Sequence, residues 1–379
     1  MIYLDNAATT YPKPRCVYRR LRWCLHHAVG NPGRSSHGAA LAAAEEIYSA
    51  REALAELLGF PKPEQIVFTQ NATYALNMAI RALSPTPRHI IYSDREHNSV
   101  IRPVAALSAE GCTSDVFSTS GDILSAMEAA MRPETDLCVL SLCSNVTGEC
   151  FPLPVLKEFR KRHPTVRVIL DGSQWVGHLP LTLSGELCDI LCAPGHKALF
   201  GLQGVGFAVF LADGCYKPFA YGGSGSDSES TDMPHLLPER MEAGTLMTPA
   251  ISALGAGVRF LLDEGMETVS QKIMHLTKAT YERLHALPHA EIFSENGVGI
   301  VSFFMKGIPA SAVTTFLDTR GIYVRGGLHC APIIHKARNA PEGGTVRVSV
   351  SYLNRVQHLD ALYQALREFD RIYYSLRVF

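Results

Sequence analysis

Between Gln65 and Lys197 the apolar residues arrive in short runs, each cut off by a polar turn. Gln65-Ile66-Val67-Phe68-Thr69 gives way to Gln70-Asn71-Ala72-Thr73, then to Leu76, Ala79, Ile80 and Leu83 at helical spacing. His89-Ile90-Ile91-Tyr92 precedes Glu96-His97-Asn98-Ser99, and Leu137-Cys138-Val139-Leu140-Ser141-Leu142 leads into Ser144-Asn145-Val146-Thr147-Gly148. Val166-Arg167-Val168-Ile169-Leu170 runs into Asp171-Gly172-Ser173-Gln174, and the run from Asp189 to Ala193 ends at Pro194-Gly195-His196-Lys197. Short apolar runs bounded by turn residues read as buried strands. Strands alternating with helices predict an α/β fold, a largely parallel sheet with helices on both faces.

A parallel sheet gathers the residues that follow its strands along its carboxyl edge, where open α/β sheets bind ligands. Thr73, His97, Asn145, Asp171, Gln174 and Lys197 all fall there. Taken singly each has an ordinary reading: helix caps for Thr73 and Asp171, hydrogen-bonded turn residues for His97 and Asn145, a solvated loop lysine for Lys197. Six polar residues after five strands are harder to dismiss.

The flanking segments are plainer. Met1 to Pro14 holds a strand-like piece and Asp5-Asn6-Ala7-Ala8-Thr9-Thr10, an ordered arm or a frayed end. Ser36 is placed to cap a helix carrying Leu41, Ile47, Leu54, Leu57 and Leu58 and ending at Gly59 and Pro61. Tyr221 to Ser228 is a flexible loop by composition, followed by Arg240-Met241-Glu242-Ala243-Gly244-Thr245. A helical stretch from Leu254 to Leu287, interrupted at Gly265, bridges to a smaller C-terminal domain. That domain reads as strand (Val298 to Phe304), helix (Ser311 to Thr319), strand (Ile322 to Arg325), a loop with Leu328-His329-Cys330-Ala331-Pro332, strand (Thr345 to Val350) and a last helix.

With 379 residues, 47% hydrophobic and 19% charged, the chain can bury a large core and is long enough for two domains. A net charge of -1 offers no footprint for nucleic acid, and no polybasic run addresses an anionic membrane. No apolar stretch approaches the ~18 residues of a membrane span, and Met1-Ile2-Tyr3-Leu4-Asp5 lacks the regions of a signal peptide, so a cytoplasmic protein is expected. The ten cysteines include no C-x-x-C pair, and most are expected as buried thiols.

Lys197, just past the end of a buried strand, would sit partly desolvated, which lowers an amine's pKa and suits it to a Schiff base with an aldehyde. Pyridoxal phosphate (PLP) needs such a lysine, an anion-binding helix start, a carboxylate for the pyridine nitrogen and a flat group over the ring. The chain offers Lys197, Ala72 with Thr73, Asp171 and His97 for these, and Gln174 for the phenolic oxygen. Cys330, beside His329 and with Arg325 upstream, is a second candidate reactive atom. Taken alone, its ordinary reading is a buried small hydrophobe. A metal site from His329, Cys330 and His335 lacks a completing ligand at the right spacing. Arg347, in an alternating strand, either grips a substrate carboxylate or is solvated.

Several segments, in order, resemble the cysteine desulfurases and related class V aminotransferase-fold enzymes: Tyr3-Leu4-Asp5-Asn6-Ala7-Ala8-Thr9-Thr10, Gly30-Asn31-Pro32, Glu96-His97-Asn98, Ser144 to Gly148, Asp171-x-x-Gln174, Gly195-His196-Lys197, Glu242 to Thr245, and Arg325-x-Gly327-Leu328-His329-Cys330-Ala331. The last pattern is closest to the Suf-type (group II) branch and to selenocysteine lyase. The resemblance implies a PLP-dependent transferase fold, aspartate-aminotransferase-like. In it an N-terminal arm (1–20) packs with the small domain, a large domain with a mostly parallel seven-stranded sheet (21–255) binds PLP, and a smaller α+β domain (256–379) carries the Cys330 loop. It implies that Lys197 holds PLP as a Schiff base, His97 stacks on the ring, Asp171 and Gln174 hold its nitrogen and oxygen, and Thr73 and His196 bind phosphate. Thr245 would reach the phosphate of the other subunit in a homodimer, and Asn145 with Arg347, beside Arg325, would hold the substrate. Cys330 would take sulfur from L-cysteine, leaving alanine and a persulfide for a protein acceptor or scaffold, as in iron–sulfur cluster assembly. Selenocysteine cleavage and PLP binding without turnover are the alternatives. Two residues depart from the family pattern: Pro194 stands where a Ser or Thr is usual, removing a phosphate hydroxyl and an N–H, and Leu202 replaces a proline.

Overall fold

The computed structural model describes residues 1–33, 35–83, 87–212, 214, 216–226 and 229–375. Its centre is a seven-stranded sheet in the order Ile66–Thr69, Gly206–Phe210, Ile190–Pro194, Arg167–Asp171, Thr135–Ser141, His89–Ser93, Thr113–Phe117. Only Gly206–Phe210 runs against the others, pairing antiparallel with both neighbours. The remaining pairs are parallel. The inner strands are apolar and buried on both faces, so helices must cover both. Ala72–Ala82 and Asn98–Leu107 cover one face, where Leu76, Ala79, Val100 and Val104 pack on Val67, Val139 and Ile169. On the other, Leu54 and Leu58 join Leu170, Leu191 and Val209 in the main core.

The helix expected from Ser36 spans Gly38–Leu57, and His37, not Ser36, caps it: the Ala40 N–H donates to His37 Nδ1 at 3.3 Å. The stretch from Leu254 to Leu287 is two helices, Thr248–Glu264 and Met266–His285, parted at Gly265, whose φ of 80° breaks the helical path. A four-stranded antiparallel sheet follows, ordered Arg325–Gly327, Thr345–Ser349, Ile300–Met305, Ala290–Ile292. The single strand expected over Ile322 to Arg325 is split. Ile322 and Tyr323 pair in parallel with Ile2 and Tyr3, whereas Arg325 begins the four-stranded sheet. Of the glycine-rich loop from Tyr221, Asp227 and Ser228 lie outside the described residues.

The N-terminal arm is ordered. Asn6 Nδ2 donates to the Ser349 carbonyl at 2.9 Å, and the Ala7 N–H to Ser349 Oγ at 2.9 Å. Beyond them, Thr10 Oγ1 donates to the Lys197 carbonyl at 2.7 Å. The arm thus ties the smaller sheet to the turn that carries Lys197. No helix among the described residues is long and apolar enough to cross a membrane.

Candidate active site

Five strands end on one cavity of about 210 Å³, walled also by Ala7 and Ala8 of the arm and by the loop before Cys330. Thr73, His97, Asn145, Asp171, Gln174, His196, Lys197, Arg325 and Arg347, nine of the candidates, line it, as do Ala72 and Pro194. Gly206 sets the approach of the Ala72–Ala82 helix: a Cβ there would lie 2.5 Å from Asn71 C and 2.8 Å from Ala72 N. The helix start is therefore pressed onto the strand end, aiming its first free N–H groups at the cavity.

Lys197 is half-buried, and burial lowers its pKa to about 8, against the opposing pull of Asp171. Asp171 is buried and accepts the Ser173 N–H at 2.8 Å. His97 caps its helix, accepting the Ser99 N–H on Nδ1 at 3.0 Å, so its hydrogen sits on Nε2. Burial and the Lys197 charge lower its pKa to about 4, leaving it neutral at pH 7. Ser99 Oγ lies 2.8 Å from His97 Nδ1 and 2.7 Å from Thr73 Oγ1, linking the histidine to the helix start. Glu96 is wholly buried beneath this group, held by Ser93 and by the Ser141 N–H at 2.8 Å, and burial raises its pKa to about 7.

Several buried polar atoms at the cavity have no partner among the described residues: Gln174 Oε1, His196 Nδ1, His329 Nδ1 and Arg347 Nε. Leaving buried polar atoms unpaired is costly, so this arrangement is that of a binding site for a polar molecule. A helix start, an amine, a buried carboxylate and unpaired polar atoms together fit a phosphorylated pyridine aldehyde.

Three candidates are placed differently from the simplest expectation. Arg347, 1% exposed, is already engaged: its Nη2 donates to Asp5 Oδ1 at 2.9 Å and its Nη1 to the Asn145 carbonyl at 2.9 Å. Asn145 Nδ2 in turn donates to the His329 carbonyl at 2.7 Å. Thr245 is not in this cavity; it lines another with Arg51 and Glu242, and Asn31 Nδ2 donates to its Oγ1 at 3.4 Å. Cys330 is exposed rather than a buried hydrophobe, 3.8 Å from Arg325 Nη2. His329 and Cys330 take φ of 50° and 58°, a left-handed pair disfavoured outside glycine and held here because Cys330 O accepts the Asn98 N–H at 2.8 Å.

Two further features of the site lie outside the sequence-based expectations. Ser141, the last residue of its strand, and Ser173, two residues past the end of another, line the cavity, and those positions are the signal that finds them. Cys143, also in the lining, forms a disulfide with Cys150 across the turn that carries Asn145, so these two are not the free thiols expected of most cysteines.

The family model described as "Aminotransferase class-V" matches residues 2–362. The chain belongs to that family. The chain is 28% identical to a probable cysteine desulfurase of Synechocystis sp., over 98% of this chain and 92% of the relative. A solved apo cysteine desulfurase from Thermococcus onnurineus NA1 superposes with a TM-score of 0.90 at 25% identity, covering 98% of this chain and 94% of that one. A cystine C-S lyase, C-DES, solved with its product cysteine persulfide, shares the fold at a TM-score of 0.83 and 24% identity, over 97% of each chain.

Proposed function

We propose that this member of the class-V aminotransferase family is a PLP-dependent cysteine desulfurase that converts L-cysteine to L-alanine and leaves a persulfide on Cys330. The observation that carries the reading is a single cavity that combines the Lys197 amine, the Asp171 carboxylate and the His97 ring, with the exposed Cys330 directly after the lining residue His329. Bound PLP would supply an aldehyde for amines and a ring able to draw electrons from the substrate's α-carbon.

The protein's own groups then have distinct tasks. Lys197, with its pKa near 8, can both release and return a proton close to neutral pH. Asp171 would keep a proton on the pyridine nitrogen by pairing with it, and Gln174, whose Nε2 also donates to the Ala7 carbonyl at 3.0 Å, would meet the phenolic oxygen. His97, neutral and held by Ser99, covers the ring face. Ala72, Thr73 and His196 receive the phosphate at the helix start; Pro194 contributes neither hydroxyl nor N–H there. Arg347, Arg325 and Asn145 orient the substrate carboxylate. Cys330 as thiolate attacks the substrate sulfur: an S–S bond forms, the C–S bond breaks, and its electron pair takes a proton on carbon to complete alanine.

Thr245 is read as completing the phosphate site of a second subunit in a homodimer, with the exposed Tyr48 in the wall of its cavity. The persulfide would pass to a protein acceptor.

Protein purified with PLP should absorb in the visible and change its spectrum on adding L-cysteine. It should release alanine, and sulfide when a thiol reductant is present. Cys330→Ser should keep the spectrum and lose persulfide and sulfide. Colourless protein, or sulfide formation unaffected in Cys330→Ser, sinks the reading; activity on selenocysteine with none on cysteine would point to the lyase instead.

A further inference from the structure

Cys143 and Cys150, which take no part in the chemistry assigned to Cys330, are bonded to each other across the turn that carries Asn145. They pair as an antiparallel bridge, and just inside it the Ser144 N–H donates to the Glu149 carbonyl at 3.0 Å. The turn they close ties the end of the seven-stranded sheet to the smaller sheet and its loops. Asn145 Nδ2 donates to the His329 carbonyl at 2.7 Å, and the Asn145 carbonyl accepts from Arg347 Nη1 at 2.9 Å. Further along, the Val146 carbonyl accepts from Ser302 Oγ at 2.6 Å, the Gly148 carbonyl from the Val298 N–H at 2.9 Å, and Glu149 Oε1 from Arg338 Nη1 at 2.8 Å. Of the two cysteines, Cys143 lines the cavity and Cys150 does not. A small thiol inside the cavity therefore meets one sulfur of the bond.

We propose that the Cys143–Cys150 bond is a thiol-exchange site reached through the substrate cavity: a small thiol, L-cysteine included, opens it, and the opened protein holds the substrate carboxylate less tightly. The inference rests on the desulfurase reading only for which thiol enters. A thiolate attacks Cys143 Sγ; a new S–S bond forms as the Cys143–Cys150 bond breaks, and Cys150 leaves as a thiolate that takes a proton. A second thiolate attacks the small-molecule sulfur of the mixed disulfide and releases Cys143. The protein has then gained two electrons and two protons, two small thiols have become one small disulfide, and that disulfide can reverse the exchange. Two free thiols pack at ~3.5 Å or more, against the ~2 Å of a bond, so opening it spreads the strand ends or turns Cys143 Sγ into the cavity. Either shift moves the Asn145 carbonyl that orients Arg347.

The test uses PLP-loaded protein kept free of reductant, with L-alanine as the probe, since it has the substrate's carboxylate and amine but no thiol. Mass spectrometry of the alkylated protein should find Cys143 and Cys150 linked. Anaerobic treatment with β-mercaptoethanol should open the link, and saturating L-alanine should slow the opening severalfold by filling the cavity. After desalting, the reduced protein should bind L-alanine about three- to tenfold more weakly, read from the change in its visible spectrum, a loss on the scale of one neutral hydrogen bond. L-Cystine should restore both the link and the affinity. Cys150→Ser should bind L-alanine as the reduced protein does and should not respond to β-mercaptoethanol.

Cysteines that stay unlinked even after L-cystine, opening that L-alanine does not slow, or an L-alanine affinity equal or higher in the reduced protein overturns the proposal. Should Cys150→Ser not fold, the unmutated protein compared in its two states decides it. An affinity that changes as expected in a protein that makes no alanine from L-cysteine in either state would sink the desulfurase reading and leave the exchange site standing. Alanine formation with the same L-alanine affinity in both states would do the reverse.

Discussion

The lysine at the centre of the site should make the cofactor-free protein less stable than it could be. Lys197 has a pKa near 8 in the fold against an ordinary 10.5, because burial disfavours its charge. At ~1.36 kcal/mol per pH unit the difference corresponds to about 3 kcal/mol, and water in the open cavity screens it to about 2 kcal/mol. The sign follows from proton counting. Between about 8 and 10.5 the unfolded chain holds the proton that the folded one has lost, so stability rises with pH across that window, and below pH 8 the full penalty applies. Replacing Lys197 by Met, of similar length and uncharged, should therefore stabilise cofactor-stripped protein at pH 7 by about 2 kcal/mol, or roughly 2–3 °C for a chain of this size. The gain should vanish near pH 10.5. Thermal unfolding followed by circular dichroism, on both proteins at matched pH from 7 upward, measures it. A variant no more stable than the parent at pH 7, or a gain constant with pH, would refute the claim that Lys197 is held partly desolvated.

Asp171→Asn should retain the fold and lower the rate of alanine formation by about 10²–10³, the scale for losing one preorganised electrostatic partner; a loss below tenfold would remove Asp171 from the pyridine nitrogen. Arg347→Lys should raise KM for L-cysteine about tenfold with little change in kcat, because a point charge cannot reproduce the planar fork; an unchanged KM would leave Arg347 as a structural partner of Asp5 only. Glu242→Ala should cost about 3–5 kcal/mol in urea unfolding, since Glu242 accepts from Arg51 Nη2 at 2.7 Å and from the Phe68 N–H at 2.6 Å with both side chains buried; a cost under about 1 kcal/mol would show that Arg51 finds another partner.

Where structure is dictated locally, the residues announce it. Ile190 to Ala193 and Arg167 to Asp171 are read as strands because a run that apolar has nowhere to sit except between two layers of helices. Thr113–Phe117 carries no clear apolar run because it lies at the sheet edge with only Phe117 buried, and Arg15–His27 gives a weak helical signal because only Val17 and Cys24 of that arginine-rich helix are buried. Gly206–Phe210 is apolar enough to be a strand, yet nothing local tells it to run against its neighbours. The same division holds at the site. The carboxyl-edge residues are legible because each lies at or just past the end of a strand, a short-range fact. The contacts that decide what those residues can do join distant segments: Asp5 to Arg347 across 342 positions, Asn145 to His329 across 184, and the turn residue His329 to Thr345 of the smaller sheet. Arg347 shows the consequence. Its sequence context allowed either a carboxylate clamp or a solvated strand residue, and the fold buries it against a carboxylate from the chain's own start. A substrate carboxylate must then share that guanidinium with Asp5, so the arm's position, and not the arginine alone, sets how strongly the cavity can hold its substrate.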